Sequence, residues 1–296
     1  MIMNRNVIHG LAKIYPQLYL NPDIETRERY KDVVLKGMEP EETDLSWYLT
    51  DPRDKDEYVK TPVGNVRVVS LYVRSDFVYF VRSVMAAKDG PEAEVPESQG
   101  ASTFQMINWQ RIHAHKQQFI AEELAKGNLY PDWKSEWERF SSVKANYIDP
   151  LVLLSCGPYS AVNAGQLGLN DEEWLMHSYT IRKYHELTHV ICRSLYPDQI
   201  SPVWDEIAAD AVGLFAAFGQ YDIDKARLFL GISDDQYTKG RLENYVSDPG
   251  AWIPWVNAAI AIVDRVIKEH PSSDVFALIP AIQEKKPEDP QSNEGC

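Results

Sequence analysis

Two histidines four positions apart, His185 and His189, with a carboxylate at Glu186 beside the first, are the residues whose types and spacing point most directly to chemistry. On a helix they are offset by about 40° and one turn, so their ring nitrogens converge, while Glu186 stands about 100° round from His185. Paired imidazoles of this kind bind a divalent ion that takes nitrogen ligands near 2 Å, zinc above all. Glu186 then reaches past such an ion rather than onto it, where it can take a proton from water the ion has activated. The bland alternative is a pair of hydrogen-bonded histidines on a packed helix.

Positioning decides between them. Asn170 or Asp171 supplies an N-cap, Glu172 and Glu173 favour the positive end of a helix, and no Gly or Pro interrupts before Pro197. Trp174, Leu175, Tyr179, Ile181, Tyr184, Leu187, Val190, Ile191 and Leu195 are apolar on more than one side, which predicts a buried helix. Tyr196 to Ile200 breaks it, and Ser201-Pro202 reads as an N-cap followed by proline at the first position of a second helix, Val203 to Leu214. If the two helices pack antiparallel, Glu206 returns to nearly the level of His189 and is the best-placed third ligand. Asp205 and Asp210 are the nearby alternatives, Asp205 facing about 100° away. Asp210, one turn beyond Glu206, is placed to accept the other ring N–H of a ligand histidine and fix its tautomer.

These elements, His-Glu-Leu-Thr-His at 185–189 and Asp-Glu-Ile-Ala-Ala-Asp at 205–210, resemble the gluzincin metallopeptidases, in which HExxH is followed on a second helix by a Glu ligand and a supporting Asp. The resemblance covers about 40 residues, from Trp174 to Leu214. It implies a zincin-like site in which His185, His189 and Glu206 hold Zn2+ and Glu186 is the general base of a metallopeptidase, a zinc hydrolase acting on peptide bonds. It also implies a substrate-binding edge strand ahead of the HExxH helix, for which Tyr159 to Gly165 is in the right place, with Asn163 available to hold substrate backbone. An oxyanion donor is needed too. Tyr196 is the first choice, ahead of Tyr184, Tyr237, Tyr245 and His270. The metzincin pattern is absent, because its Gly and third His would fall on Cys192 and Leu195. Ferritin-like di-iron chemistry requires a second Glu-x-x-His, which the chain lacks.

His113 and His115 point some 200° apart on a helix and cannot chelate together. They read as surface or hydrogen-bonded histidines. Cys156, Cys192 and Cys296 are too scattered for a disulfide framework or a cysteine zinc site. A net charge of −14 argues against nucleic-acid partners, since phosphate contacts demand a basic surface. No N-terminal segment combines basic residues with a long apolar stretch, and no run approaches 18 apolar residues. The expected setting is therefore cytoplasmic, with a peptide or small-molecule substrate and no membrane partner.

Periodicity predicts a strand at Val66 to Val73, a helix at Asp76 to Ala87, a loop at Lys88 to Gly100, helices at Thr103 to Lys126 and Trp133 to Tyr147, and a strand at Pro150 to Cys156. Gly157 to Gly165 reads as a turn with a second short strand, Val256 to His270 as a helix. The expected fold is mainly helical α+β and zincin-like, with a small sheet and the active-site helix at the floor of a cleft between two lobes. A mixed N-terminal lobe (1–150), a helical catalytic lobe (151–283) and a disordered tail (284–296) complete it. Two rivals share the scaffold: an enzyme acting on a small molecule or modified peptide, and a non-catalytic binding protein.

Overall fold

Residues 6–198, 201–271 and 274–290 are described by the structure, a computed structural model. They form an α+β protein, about 56% helical, with a small mixed sheet. Two compact units emerge: Met1–Glu57, Arg67–Pro96 and Thr103–Ser155 make one, and Tyr58–Val66, Glu97–Ser102 and Cys156–Cys296 the other. The division falls after Ser155 rather than at 150, because the strand ending there belongs wholly to the first unit.

In chain order the N-terminal half runs through helices α1 (Val7–Ala12) and α2 (Arg27–Lys36), strands β1 (Lys55–Thr61) and β2 (Gly64–Leu71) and helix α3 (Arg74–Asp89). Strand β3 (Ala101–Ile107), helices α4 (Trp109–Ala125) and α5 (Trp133–Ser141) and strand β4 (Ile148–Ser155) follow. The sheet order is β1-β2-β4-β3. β2 and β4 pair in parallel, from Arg67 opposite Leu151 to Leu71 opposite Ser155. β4 carries the unbroken apolar run Leu151–Leu154, and β2 is buried from Val66 to Leu71 with Arg67 and Ser70 among its apolar residues, as strands covered on two faces require. Leu151 and Leu153 join Val69, Leu71, Phe77, Phe80 and the α1 residues Ile8 and Leu11 in one core.

The segment from Thr103 is not a continuous helix. Phe104 and Ile107 suit a helical period, but Phe104 and Met106 are the buried pair, the alternation of a strand, and the chain is extended to Ile107. Asn108 then caps α4, its side chain accepting the Arg111 N–H at 2.9 Å. α5 likewise stops at Ser141, short of Tyr147, and a 3-10 turn spans Lys144–Asn146. His115 bonds Glu136 at 2.6 Å and stacks on Phe140, so it has a packing role.

The C-terminal half consists of α6 (Asp171–Leu195), α7 (Pro202–Phe218), α8 (Ile223–Leu230), a minimal hairpin β5 (Ile232–Ser233) and β6 (Gln236–Tyr237), α9 (Pro249–Glu269) and α10 (Leu278–Gln283). α6 starts at a capping box in which Asn170 and Glu173 satisfy each other's backbone N–H groups. α7 starts at Pro202, but the Ser201 hydroxyl bonds Asp289 instead of capping the helix. The two helices pack antiparallel, since Gly213 lies against Ile181 while Glu206 lies near His189. α9 is long and apolar enough to cross a membrane by length and composition. Its buried stripe, Trp252, Val256, Ile260, Val263 and Ile267, packs instead within the helical unit. The expected disordered tail is docked at least in part: Trp255 donates to the Glu288 carbonyl and Ser201 to Asp289, while residues 291–296 lie outside the described residues.

Candidate metal centre

The site is built on α6 and α7. An antiparallel helix pair brings residues with a four-position spacing on one helix opposite residues with the same spacing on the other, here His185 and His189 against Glu206 and Asp210. Close approach is possible because α7 presents Gly213 at the crossing: a Cβ there would stand 2.7 Å from the Ile181 carbonyl oxygen.

One ligand atom from each of His185, His189 and Glu206 lies within 4.8 Å of the others, and the group is buried. The two Nε2 atoms are 3.0 Å apart. Glu206 Oε2 is 3.4 Å from His185 Nε2, and Oε1 is 3.2 Å from His189 Nε2. An ion with bonds near 2.0–2.1 Å in tetrahedral geometry spaces its ligand atoms roughly 3.3 Å apart, and these separations, two of them taken from different Glu206 oxygens, are of the size a small divalent ion requires. Of the alternatives, Asp205 spends its Oδ2 on the Ser201 N–H at 3.3 Å and stands outside the group.

Asp210 meets the far side of His185, with Oδ1 2.9 Å from Nδ1. A carboxylate there accepts a hydrogen bond from Nδ1–H, which in the neutral imidazole leaves Nε2 as a lone pair facing the second imidazole. Two imidazole nitrogens 3.0 Å apart are satisfied either by a shared proton or by a cation. The local charge favours positive charge at this point, whether a proton or a metal ion supplies it. Burial pulls the His185 pKa down, but the Glu206 charge and the hydrogen bonds of Asp210 and Glu206 outweigh it and raise it to about 9. Burial works the other way on Glu206, yet His185 and His189 hold its carboxyl well below the usual carboxylate range. A buried pocket that keeps an imidazole charged is one of strongly negative potential.

Tyr159 and Asn163 stand elsewhere than on a substrate-binding edge. The segment forms two short 3-10 turns, Tyr159–Ala161 and Ala164–Leu167, with Ser160 and Ala161 at φ 55° and 56°, values a strand does not accommodate. Asn163 closes a capping box with Gln166, so its side chain is spent on the turn. Tyr159 is buried, and its hydroxyl donates to Asp210 Oδ1 at 2.6 Å beside His185 Nδ1. Its backbone is sewn to α6: the Tyr159 N–H bonds Ser178 Oγ, and Arg182 donates to the carbonyls of Gly157 and Pro158.

Arg241 belongs to the site although nothing in the sequence singled it out among thirty Lys and Arg residues. Its Nη1 lies 3.3 Å from Glu206 Oε2, its Nη2 bonds Asp210 Oδ2, and its guanidinium sits 4.9 Å from the centre of the Tyr159 ring. The only signal available beforehand was a need: two buried acids one turn apart require a counter-charge.

A cavity of about 250 Å3 opens onto His189 and Glu206 and is lined further by Cys192, Tyr196, Asp205 and Tyr245. Of the two cavity-lining tyrosines, Tyr245 is the one that feels a ligand, its hydroxyl pushed up first by burial and then by the charge of Glu206. Tyr196 also lines the cavity, its hydroxyl pushed up by burial and by its neighbours Cys192 and Glu284 rather than by the Glu206 charge. Glu186 is half-buried on α6 beside His185, with Arg182 as a charged neighbour. Cys192 is buried, its sulfur accepts from Gln283 at 3.3 Å, and burial raises its thiol to about 11, so it is a poor source of thiolate.

Fold and site together define an α+β protein with a buried three-residue group that could bind a metal ion. The chain belongs to a family of unknown function, DUF7005, whose model matches residues 3–277. No curated protein and no solved structure matches it.

Proposed function

We propose that this chain is a zinc-dependent hydrolase of the zincin type, cleaving peptide bonds. The observation that carries the reading is the buried convergence of His185, His189 and Glu206 with edges of 3.0–3.4 Å. Zinc held there would supply Lewis-acid activation of water and of the scissile carbonyl. Glu186, the residue after His185, takes the proton of the attacking water and returns it to the leaving nitrogen. Tyr245, on the cavity wall beside Glu206, replaces Tyr196 as the hydrogen-bond donor to the oxyanion. Asp210 holds His185 in the tautomer that points Nε2 at the ion.

The test is cleavage of a mixed peptide library by zinc-loaded protein and by Glu186→Gln. The proposal expects turnover to fall by roughly 10²–10⁴-fold with zinc content unchanged. Equal turnover in the two proteins removes Glu186 from the chemistry, and no turnover of any substrate by the wild type favours a binding protein.

One observation favours a narrower substrate. At about 250 Å3 the cavity lies just below the usual range of small-molecule sites, roughly 300–1,000 Å3. A short or modified peptide, or a small amide, suits it better than a long extended chain, and the same library resolved by length distinguishes the two.

A further inference from the structure

We infer that Arg241 is a built-in counter-cation that keeps the acidic ligand cluster folded independently of metal, so that the ion enters a finished site rather than creating it. The inference rests on reading His185, His189 and Glu206 as the metal site.

Glu206 and Asp210 are one turn apart on α7 and both buried. Two carboxylates brought out of water together repel each other and lose hydration, and a removed partner leaves an uncompensated charge. A single guanidinium answers both: Nη1 faces Glu206 and Nη2 faces Asp210. Only a planar fork spans two acids in this way, since an ammonium is a point charge. The fork is itself held in place. Its Cζ lies over the Tyr159 ring, 4.9 Å from the centre, and Nε points to the Phe229 carbonyl at 3.5 Å. Tyr159 adds a second bond to Asp210, so this acid is gripped from both sides.

The backbone delivers Arg241 with equal specificity. Gly240 crosses Gly231 so closely that a Cβ on Gly240 would stand 2.5 Å from the Gly231 Cα. Thr238 N–H bonds the Gly231 carbonyl at 2.8 Å, and Leu242, the next residue after Arg241, is fully buried. Arg241 therefore leaves this crossing in one direction, toward α7.

A cation fixed beside the ligands has two opposing effects. It stabilises the protein when no ion is present, and it weakens the attraction of the cluster for a divalent ion. These signs separate a counter-charge from a packing role. The experiment compares full-length wild type, Arg241→Gln and the double variant Asp210→Asn/Arg241→Gln by thermal unfolding, with and without Zn2+, and by Zn2+ titration against a chromophoric chelator. Arg241→Gln is expected to lower the midpoint of the metal-stripped protein by roughly 10 °C. With Zn2+ bound the loss is expected to shrink to less than half, and Zn2+ affinity to rise by about tenfold. The double variant, which removes one of the two stranded carboxylates along with their shared partner and so ends the repulsion between them, is expected to regain a clear part of the metal-stripped midpoint. It also decides the matter if Arg241→Gln alone does not fold.

Equal losses with and without Zn2+, weaker Zn2+ binding in Arg241→Gln, or no recovery in the double variant would each overturn the inference. A wild type that takes up no Zn2+ overturns the hydrolase reading instead, while the metal-stripped single and double variants still report on the counter-charge.

Discussion

Gly213→Ala tests whether the α6–α7 crossing sets the geometry of the site. Gly213 faces the backbone of Ile181, and an added Cβ would lie 2.7 Å from its carbonyl oxygen and 3.1 Å from its Cγ2. Ordinary contact needs about 3.4 Å, so the helices must part by roughly 0.7 Å at this level. Overpacking against backbone costs up to about 3 kcal/mol, and alanine recovers about 1 kcal/mol of helix propensity. The net loss is about 2 kcal/mol, a fall in midpoint of roughly 4–8 °C for a chain near this size. Asp210 is one turn away and Glu206 two turns, so the same displacement opens the two edges that join the helices, only 3.2–3.4 Å long. Zinc affinity should therefore drop by about tenfold. The assays are calorimetric unfolding and competitive zinc titration. A midpoint that rises, as propensity alone dictates, with zinc affinity unchanged, would refute the reasoning.

Tyr245→Phe should reduce turnover by about 10²-fold with zinc retained, whereas Tyr196→Phe should stay within about threefold of wild type, both measured as kcat on one cleaved peptide. In the N-terminal half, hydrogen bonds from Arg139, opposed by partial burial and reinforced by His115, hold the Glu136 carboxyl at about 2 rather than 4.5. Its folded pKa lies below the unfolded value, so the stabilisation is complete above about 4.5 and drains away as pH falls toward 2. The midpoint gap between wild type and Glu136→Gln should accordingly be widest near neutrality and close across that window; a gap independent of pH would contradict it.

Much of the candidate site was legible because a group able to hold a metal ion needs a spacing that a helix period makes visible. His185, His189, Glu206 and Asp210 recur at four-residue intervals on two segments whose ends are marked by Asn170, Pro197 and Pro202. The mainly helical α+β class was legible for the same reason, as were β2, β4 and α9 from their apolar runs. What escaped has no local period. Phe104 and Ile107 satisfy a helix as well as a strand, and only burial of Phe104 with Met106 separates them. Tyr159 reads as an edge strand in a run of small residues, but Ser160 and Ala161 at positive φ turn it inward. Arg241 meets Glu206 and Asp210 from 35 and 31 positions away, by way of a glycine crossing that no motif announces.

The most direct measurement is the metal content of the purified full-length chain, alongside His189→Ala and Glu206→Gln. One equivalent of zinc per wild-type chain is expected, with a large loss in each variant while the fold is retained by circular dichroism. Wild-type protein that stays free of divalent metal after equilibration with zinc, or variants that bind it as tightly as the wild type, would contradict a site made by His185, His189 and Glu206.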